Sequence, residues 1–174
     1  MKTKMIILAM LFSTMVFAQK RDYKYFSIGT NYATSPSSYS GIKPPNELVF
    51  NFITEAGIMY DVFDISVRYE YADLKEKYHS FSGAVGIVLF QIGGRKFLNN
   101  NNPLLIIPGG KYGRIMREKK GGTRPSVAYY GFEIEFRQQI GKFFISVEPS
   151  LDKRNDVEDG IWRENVHFKL GYTF

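Results

Sequence analysis

The sequence predicts an all-β fold, a closed antiparallel up-and-down transmembrane barrel of eight strands, and three observations predict it. The first is the stretch from Trp162 to Phe174. There Trp162, Glu164, Val166, Phe168, Leu170, Tyr172 and Phe174 alternate with Arg163, Asn165, His167, Lys169, Gly171 and Thr173. One set is almost wholly apolar and aromatic and the other is largely polar or charged, which is a strand with two unlike faces, because successive side chains point opposite ways. The second is composition: 16% of residues are aromatic, with 12 Tyr and 15 Phe beside one Trp, at a mean hydropathy of only -0.21. Strands that are half apolar, with aromatic girdles at both membrane interfaces, produce that balance. The third is the absence of cysteine, which removes disulfides, thiolate catalysis and thiolate metal sites together. Stability then has to come from the fold, and a closed barrel supplies it by pairing every backbone group with a neighbouring strand.

The N-terminus reads as a secretory signal. Lys2 and Lys4 form a basic start, Met5 to Phe17 is an apolar run, and Val16-Phe17-Ala18 offers small residues for cleavage after Ala18. The run is shorter than the ~20 residues a spanning helix needs. Residues 1–18 are therefore expected to be the signal peptide and 19–174 one barrel domain. The formal charge of +6 includes the two signal lysines, and the remaining excess is too mild to suggest a nucleic-acid binder.

Eight alternating segments follow. The first, Tyr23 to Tyr32, sets Phe26, Ile28, Thr30 and Tyr32 against Ser27, Gly29 and Asn31. Pro36, Gly41, Pro44 and Pro45 make Thr34 to Asn46 a loop. The second strand, Glu47 to Tyr60, turns Leu48, Phe50, Phe52, Thr54, Ala56 and Ile58 outward, and a tight turn at Asp61 to Phe63 leads to the third, Asp64 to Ala72. The charged loop Asp73 to Tyr78 precedes the fourth, Phe81 to Gln91, with Phe81, Val85, Ile87 and Leu89 outward. Gly93 to Pro103, with four consecutive Asn, reads as a turn. Leu104 to Met116 is the fifth strand, with a bulge or break expected at Pro108-Gly109-Gly110. The sixth, Val127 to Arg137, follows the loop Arg117 to Ser126. The turn Gln138 to Lys142 leads to the seventh, Phe143 to Leu151, and the loop Asp152 to Gly160 to the last. The odd-numbered connections are long and polar, and two of the three even ones are short, as long outer loops and short periplasmic turns require.

This pattern resembles the small bacterial outer-membrane barrels, the OmpA transmembrane domain and OmpX, over the whole mature chain. The resemblance implies a bacterial outer-membrane location. It also implies that Phe168, Leu170, Tyr172 and the terminal Phe174 serve as the recognition signal for the barrel assembly machinery. Expected partners are outer-membrane lipid, lipopolysaccharide and a protein docked through the loops, with no nucleic acid and no cofactor.

The inward register collects Glu55, Arg68, Glu70, Glu133, Glu135, Arg137, Glu148, Arg163, His167 and Lys169, with Asn51 and Asn165 between them. An eight-stranded barrel is just wide enough for side chains to fill, so these charges are expected to pair into a plug, since an unpaired buried charge is costly. The alternative is a narrow channel for ions or small solutes lined by the same groups. A soluble barrel holding an apolar ligand fits poorly, because its pocket would be lined with Glu and Arg.

At the outer rim, Arg114, Arg117, Lys119, Lys120 and Arg124 form a basic loop suited to lipopolysaccharide phosphates or an acidic partner through charge-assisted hydrogen bonds. Asp152, Asp156, Glu158 and Asp159 are acidic but lack the spacing of a calcium loop. In His79-Ser80-Phe81-Ser82, the position two residues after the histidine, where lipid A deacylases carry their serine, holds Phe81. Ser80 and Ser82 point to the other face, so nucleophile and base would not meet. Two distant histidines and no cysteine make a transition-metal site unexpected, and no phosphate-binding glycine motif or nucleophile elbow is present. The sequence gives no ground to expect an enzyme.

Overall fold

The computed structural model describes residues 22–33, 51–73, 77–92, 102–119, 122–123, 126–155 and 162–174. The expected signal peptide, the loop 34–46, the start of the second strand at 47–50 and residues 93–101 lie outside them.

All described regular structure is strand: β1 (Asp22–Ala33), β2 (Asn51–Tyr60), β3 (Phe63–Asp73), β4 (Lys77–Ile87), β5 (Phe90–Ile92), β6 (Leu104–Lys119), β7 (Gly122–Thr123), β8 (Val127–Ile140), β9 (Phe143–Arg154) and β10 (Trp162–Thr173). Neighbours pair antiparallel in the order β4, β3, β2, β1, β10, β9, β8, β6, and β6 pairs back onto β4. That last pairing leaves no edge along the ring. β5 continues β4, and β7 folds back on the outer tip of β6, so the ring has eight staves. Asp22, Phe174 and the two short turns share one end of the ring, the end that such barrels place at the periplasm.

The two short turns are two residues each, Asp61-Val62 and Gly141-Lys142. Both open with positive φ, 56° at Asp61 and 62° at Gly141, the backbone hand that a two-residue hairpin needs. Phe63 and residues 138–140, expected in turns, are in strands instead. β3 likewise runs through Asp73 and β4 begins at Lys77, which shortens the loop placed at 73–78.

The strand carrying Pro108 runs unbroken for 16 residues; the expected interruption is on its neighbour. Gly86 pairs with Gly109, but Phe90 pairs with Ile106, so three residues of the β4–β5 stave face two of β6. The extra residue is a bulge at Ile87–Leu89. The amide of Leu89 donates to the Ile106 carbonyl at 3.0 Å. Groups two residues apart on a strand point the same way, so the missing N–H of Pro108 faces the bulge, where the ladder is already open. The bulge also reverses parity: Phe90 and Ile92 face outward, and Leu89, expected outward, is only half exposed.

The apolar face is outside. Phe52, Ile65, Val67, Phe81, Val85, Phe132, Ile145 and Leu170 are all exposed, a surface that only lipid makes favourable. Aromatic residues gather near both ends. Trp162 packs edge-on against Tyr130 and stacks on Phe132 at the outer end, and Phe143, Tyr172 and Phe174 pack together at the inner end.

Candidate functional site

The interior is built in layers, each from alternate residues of several staves. At the periplasmic end Met59, Val88, Leu105 and Ile107 form a fully apolar cluster, with Tyr23 packed against it. Above it lies an aromatic and cationic layer. The Arg137 guanidinium sits 4.3 Å from the Tyr25 ring centre and 4.8 Å from that of Phe144. Its Nη2 donates to Asp64 Oδ2 at 2.6 Å and to Glu135 Oε2 at 2.7 Å. Both rings lie against glycines: a Cβ at Gly57 would land in the Tyr25 ring and one at Gly171 in the Phe144 ring. The Tyr25 hydroxyl donates to Asp64 Oδ1 at 2.7 Å.

The central layer is organised by two cations. Arg68 donates through Nη1 and Nη2 to the two oxygens of Glu148, both at 2.7 Å, and through Nε to Glu55 at 2.7 Å. Such a two-pronged pair is the strongest geometry that an arginine and a carboxylate adopt. Lys169 Nζ lies 2.7 Å from Glu148, 3.1 Å from both oxygens of Glu55 and 3.3 Å from Glu135. His167 donates from Nδ1 to Glu148 at 2.7 Å. Toward the outer end Lys111 pairs with Asp152 at 2.9 Å and donates to Ser150 at 3.0 Å. Asn31 and Asn51 donate to Glu70, and Asn165 donates to Asp152. The void left among Tyr25, Asp64, Glu55 and Glu133 is about 10 Å³, room for one water at most.

Glu55, Arg68, Glu70, Glu133, Glu135, Arg137, Glu148, His167 and Lys169 are thus all buried and inward, with ion pairs joining staves far apart in sequence. Arg163 is on β10, but its side chain lies outside the described residues. Arg114 is exposed on the outer wall. Arg117 and Lys119 continue β6 rather than forming a loop; their side chains, and Lys120 and Arg124 entirely, lie outside the described residues, as do Asp156, Glu158 and Asp159. Phe168, Leu170 and Phe174 face outward and Tyr172 is half exposed. His79 faces out with Nδ1 2.8 Å from the Tyr69 hydroxyl, while Ser80 is buried and shares a hydrogen bond with Tyr129. Base and hydroxyl are on opposite faces, as the alternation required.

Sequence reasoning missed Lys111, Asp64 and Tyr25, together with the whole apolar base. Asp64 had a signal, being two and four residues before inward Ser66 and Arg68. Lys111 lost its signal to the break expected at Pro108. The inward apolar residues were hidden because "inward" was equated with "polar".

No family model matches the chain, and no curated protein matches it. Solved structures do. Neisserial surface protein A is similar over 88% of this chain and 97% of its own, at 10% identity and a TM-score of 0.56. Ail, the attachment invasion locus protein of Yersinia pestis, covers 88% of this chain and 99% of itself, at 13% identity and a TM-score of 0.51. Ail in complex with the heparin analogue sucrose octasulfate gives 88%, 99%, 11% and 0.53. The fold of this chain is that of the small eight-stranded outer-membrane barrels, and its apolar exterior is the surface such a barrel turns to lipid.

Proposed function

We propose that this protein is a rigid outer-membrane barrel whose work is done at its outer end, where Arg114, Arg117, Lys119, Lys120 and Arg124 meet the phosphates of lipopolysaccharide. The observation that carries the reading is the double closure of the lumen, apolar at the base and ion-paired above it. With the described lumen filled at both levels, the surfaces left to act are the outer end and the lipid-facing wall. β6 is the longest described strand and carries Arg117 and Lys119 at its outer tip, which suits contact with a plane of phosphates. Ail, whose fold is similar, was solved in complex with the heparin analogue sucrose octasulfate, which supports a polyanion-contacting reading. The exposed face of β10, Phe168 to Phe174, fits the second proposed role, recognition by the assembly machinery.

The test replaces Arg117, Lys119, Lys120 and Arg124 by Gln in the full barrel and measures lipopolysaccharide binding at two salt concentrations. The expected result is binding weakened by about tenfold or more, with a shallower salt dependence. Unchanged binding at both salts removes the reading.

A further inference from the structure

The lipid-facing wall is not uniformly convex. It holds an open furrow of about 590 Å³ that follows one register row across five staves. Phe26 pairs with Ala56, Ala56 with Val67, Val67 with Gly83 and Gly83 with Tyr112. The three middle side chains are small or short and form the floor, while the two rings close the ends. The next row supplies one rim: Tyr69 and Phe81, with ring centres 4.8 Å apart, lead to Arg114, which pairs with Phe81. Four strand spacings of about 4.8 Å make the furrow about 19 Å long, somewhat more than the ~15 Å depth of one leaflet's hydrocarbon.

The furrow has a direction. Strands of such barrels tilt by about 40°, so a register row climbs as it crosses them. The row of Arg114 meets β8 at Ala128, beside that strand's outer start, yet crosses β1 at Ile28, well inside that strand. The arginine end is therefore the outer end and the Phe26 end is the deeper one. Arg114 is exposed and has no ion-pair partner among the described residues. A cation at the interface with an aromatic-walled apolar trough running down into the membrane matches the polarity of one lipid. We infer that this furrow is a lipid A site, with a phosphate at Arg114 and an acyl chain lying along Gly83, Val67 and Ala56 toward Phe26. The inference deepens the lipopolysaccharide reading and shares Arg114 with it, while the trough itself lies on the lipid-facing wall and uses none of Arg117, Lys119, Lys120 and Arg124.

Gly83 makes the site testable without harming the barrel. A Cβ there would meet only the Ser66 carbonyl, at 3.8 Å, so Gly83→Leu fills the furrow and leaves the lumen alone. The native barrel, Gly83→Leu, Arg114→Gln and the four-residue Gln variant above are placed in phosphatidylcholine nanodiscs doped equally with lipid A or phosphatidylglycerol. Retained lipid is counted by native mass spectrometry, and folding is checked by the unboiled gel shift. The native barrel is expected to keep one lipid A and no phosphatidylglycerol. Retention should fall about tenfold in Gly83→Leu and in Arg114→Gln, with the gel shift unchanged, and persist in the four-residue variant. Full retention in Gly83→Leu overturns the site, as does equal retention of phosphatidylglycerol. A barrel dimer that Gly83→Leu dissolves also overturns it, by showing a second copy in the furrow. Loss confined to the four-residue variant would sink the furrow and leave the outer-end reading standing.

Discussion

Lys169 touches three carboxylates at once, those of Glu55, Glu135 and Glu148. Replacing it with Met keeps the volume and deletes the charge, leaving Arg68 and Arg137 as the arginine partners of those acids. Breaking a buried pair from one side costs about 3–5 kcal/mol, so Lys169→Met should lose about that much in urea unfolding of the detergent-folded barrel. Adding Glu55→Gln should return part of the loss, because the two groups interact directly. A loss under 1 kcal/mol would show that the central layer tolerates unbalanced charge. The aromatic layer gives a steric counterpart. Gly171→Val drives its side chain into the Phe144 ring, and overpacking of this kind costs about 1–3 kcal/mol or more. Gly171→Val with Phe144→Ala should recover stability relative to Gly171→Val alone. If the pair adds independently, the ring does not depend on the glycine.

Among the elements, β6 carries the clearest conflict between local rule and global structure. Proline and two glycines weaken a strand, yet Leu104–Lys119 is the longest one here, because the bulge at Ile87–Leu89 removes the ladder position that Pro108 could not fill. Pro108→Val is therefore expected to change stability by less than about 1 kcal/mol, whereas the same ring inserted where a paired N–H is needed removes a ladder hydrogen bond and leaves a buried carbonyl without its partner. A large gain on Pro108→Val would mean that the proline strains β6. This element also marks how far the sequence could be read. Period-two alternation fixed the facing of Glu55, Arg68, Glu133, Arg137, Glu148 and Lys169, because a half-apolar strand cannot slip by one residue without turning every side chain over. It could not reveal a bulge on a neighbouring strand, so Lys111 and the outward turn of Phe90 stayed hidden. The furrow was beyond reach as well, since Ala56, Val67 and Gly83 become neighbours only once the register is known.

For the whole barrel, the layered lumen predicts an electrical result. Planar bilayers containing the folded protein should show no resolved single-channel steps, because ions would have to cross Met59, Val88, Leu105 and Ile107 after the charged layer. Stable steps that shift in size with Arg137→Ala would instead favour the channel reading. The long-range ion pairs have one more consequence, for the order of events in assembly. Lys169 and Glu55 are 114 positions apart in the chain, and their strands become near neighbours only through the seam between β1 and β10. Until the last strand arrives, Glu55 and Glu148 lack one of their cations and still need water. Dehydration of the interior must therefore wait for β10 to pair with β1, so closure and drying are a single late event rather than the end of a gradual zippering. A chain lacking β10 would forfeit far more than one stave's share of stability: it would be left with an interior that could not afford to close.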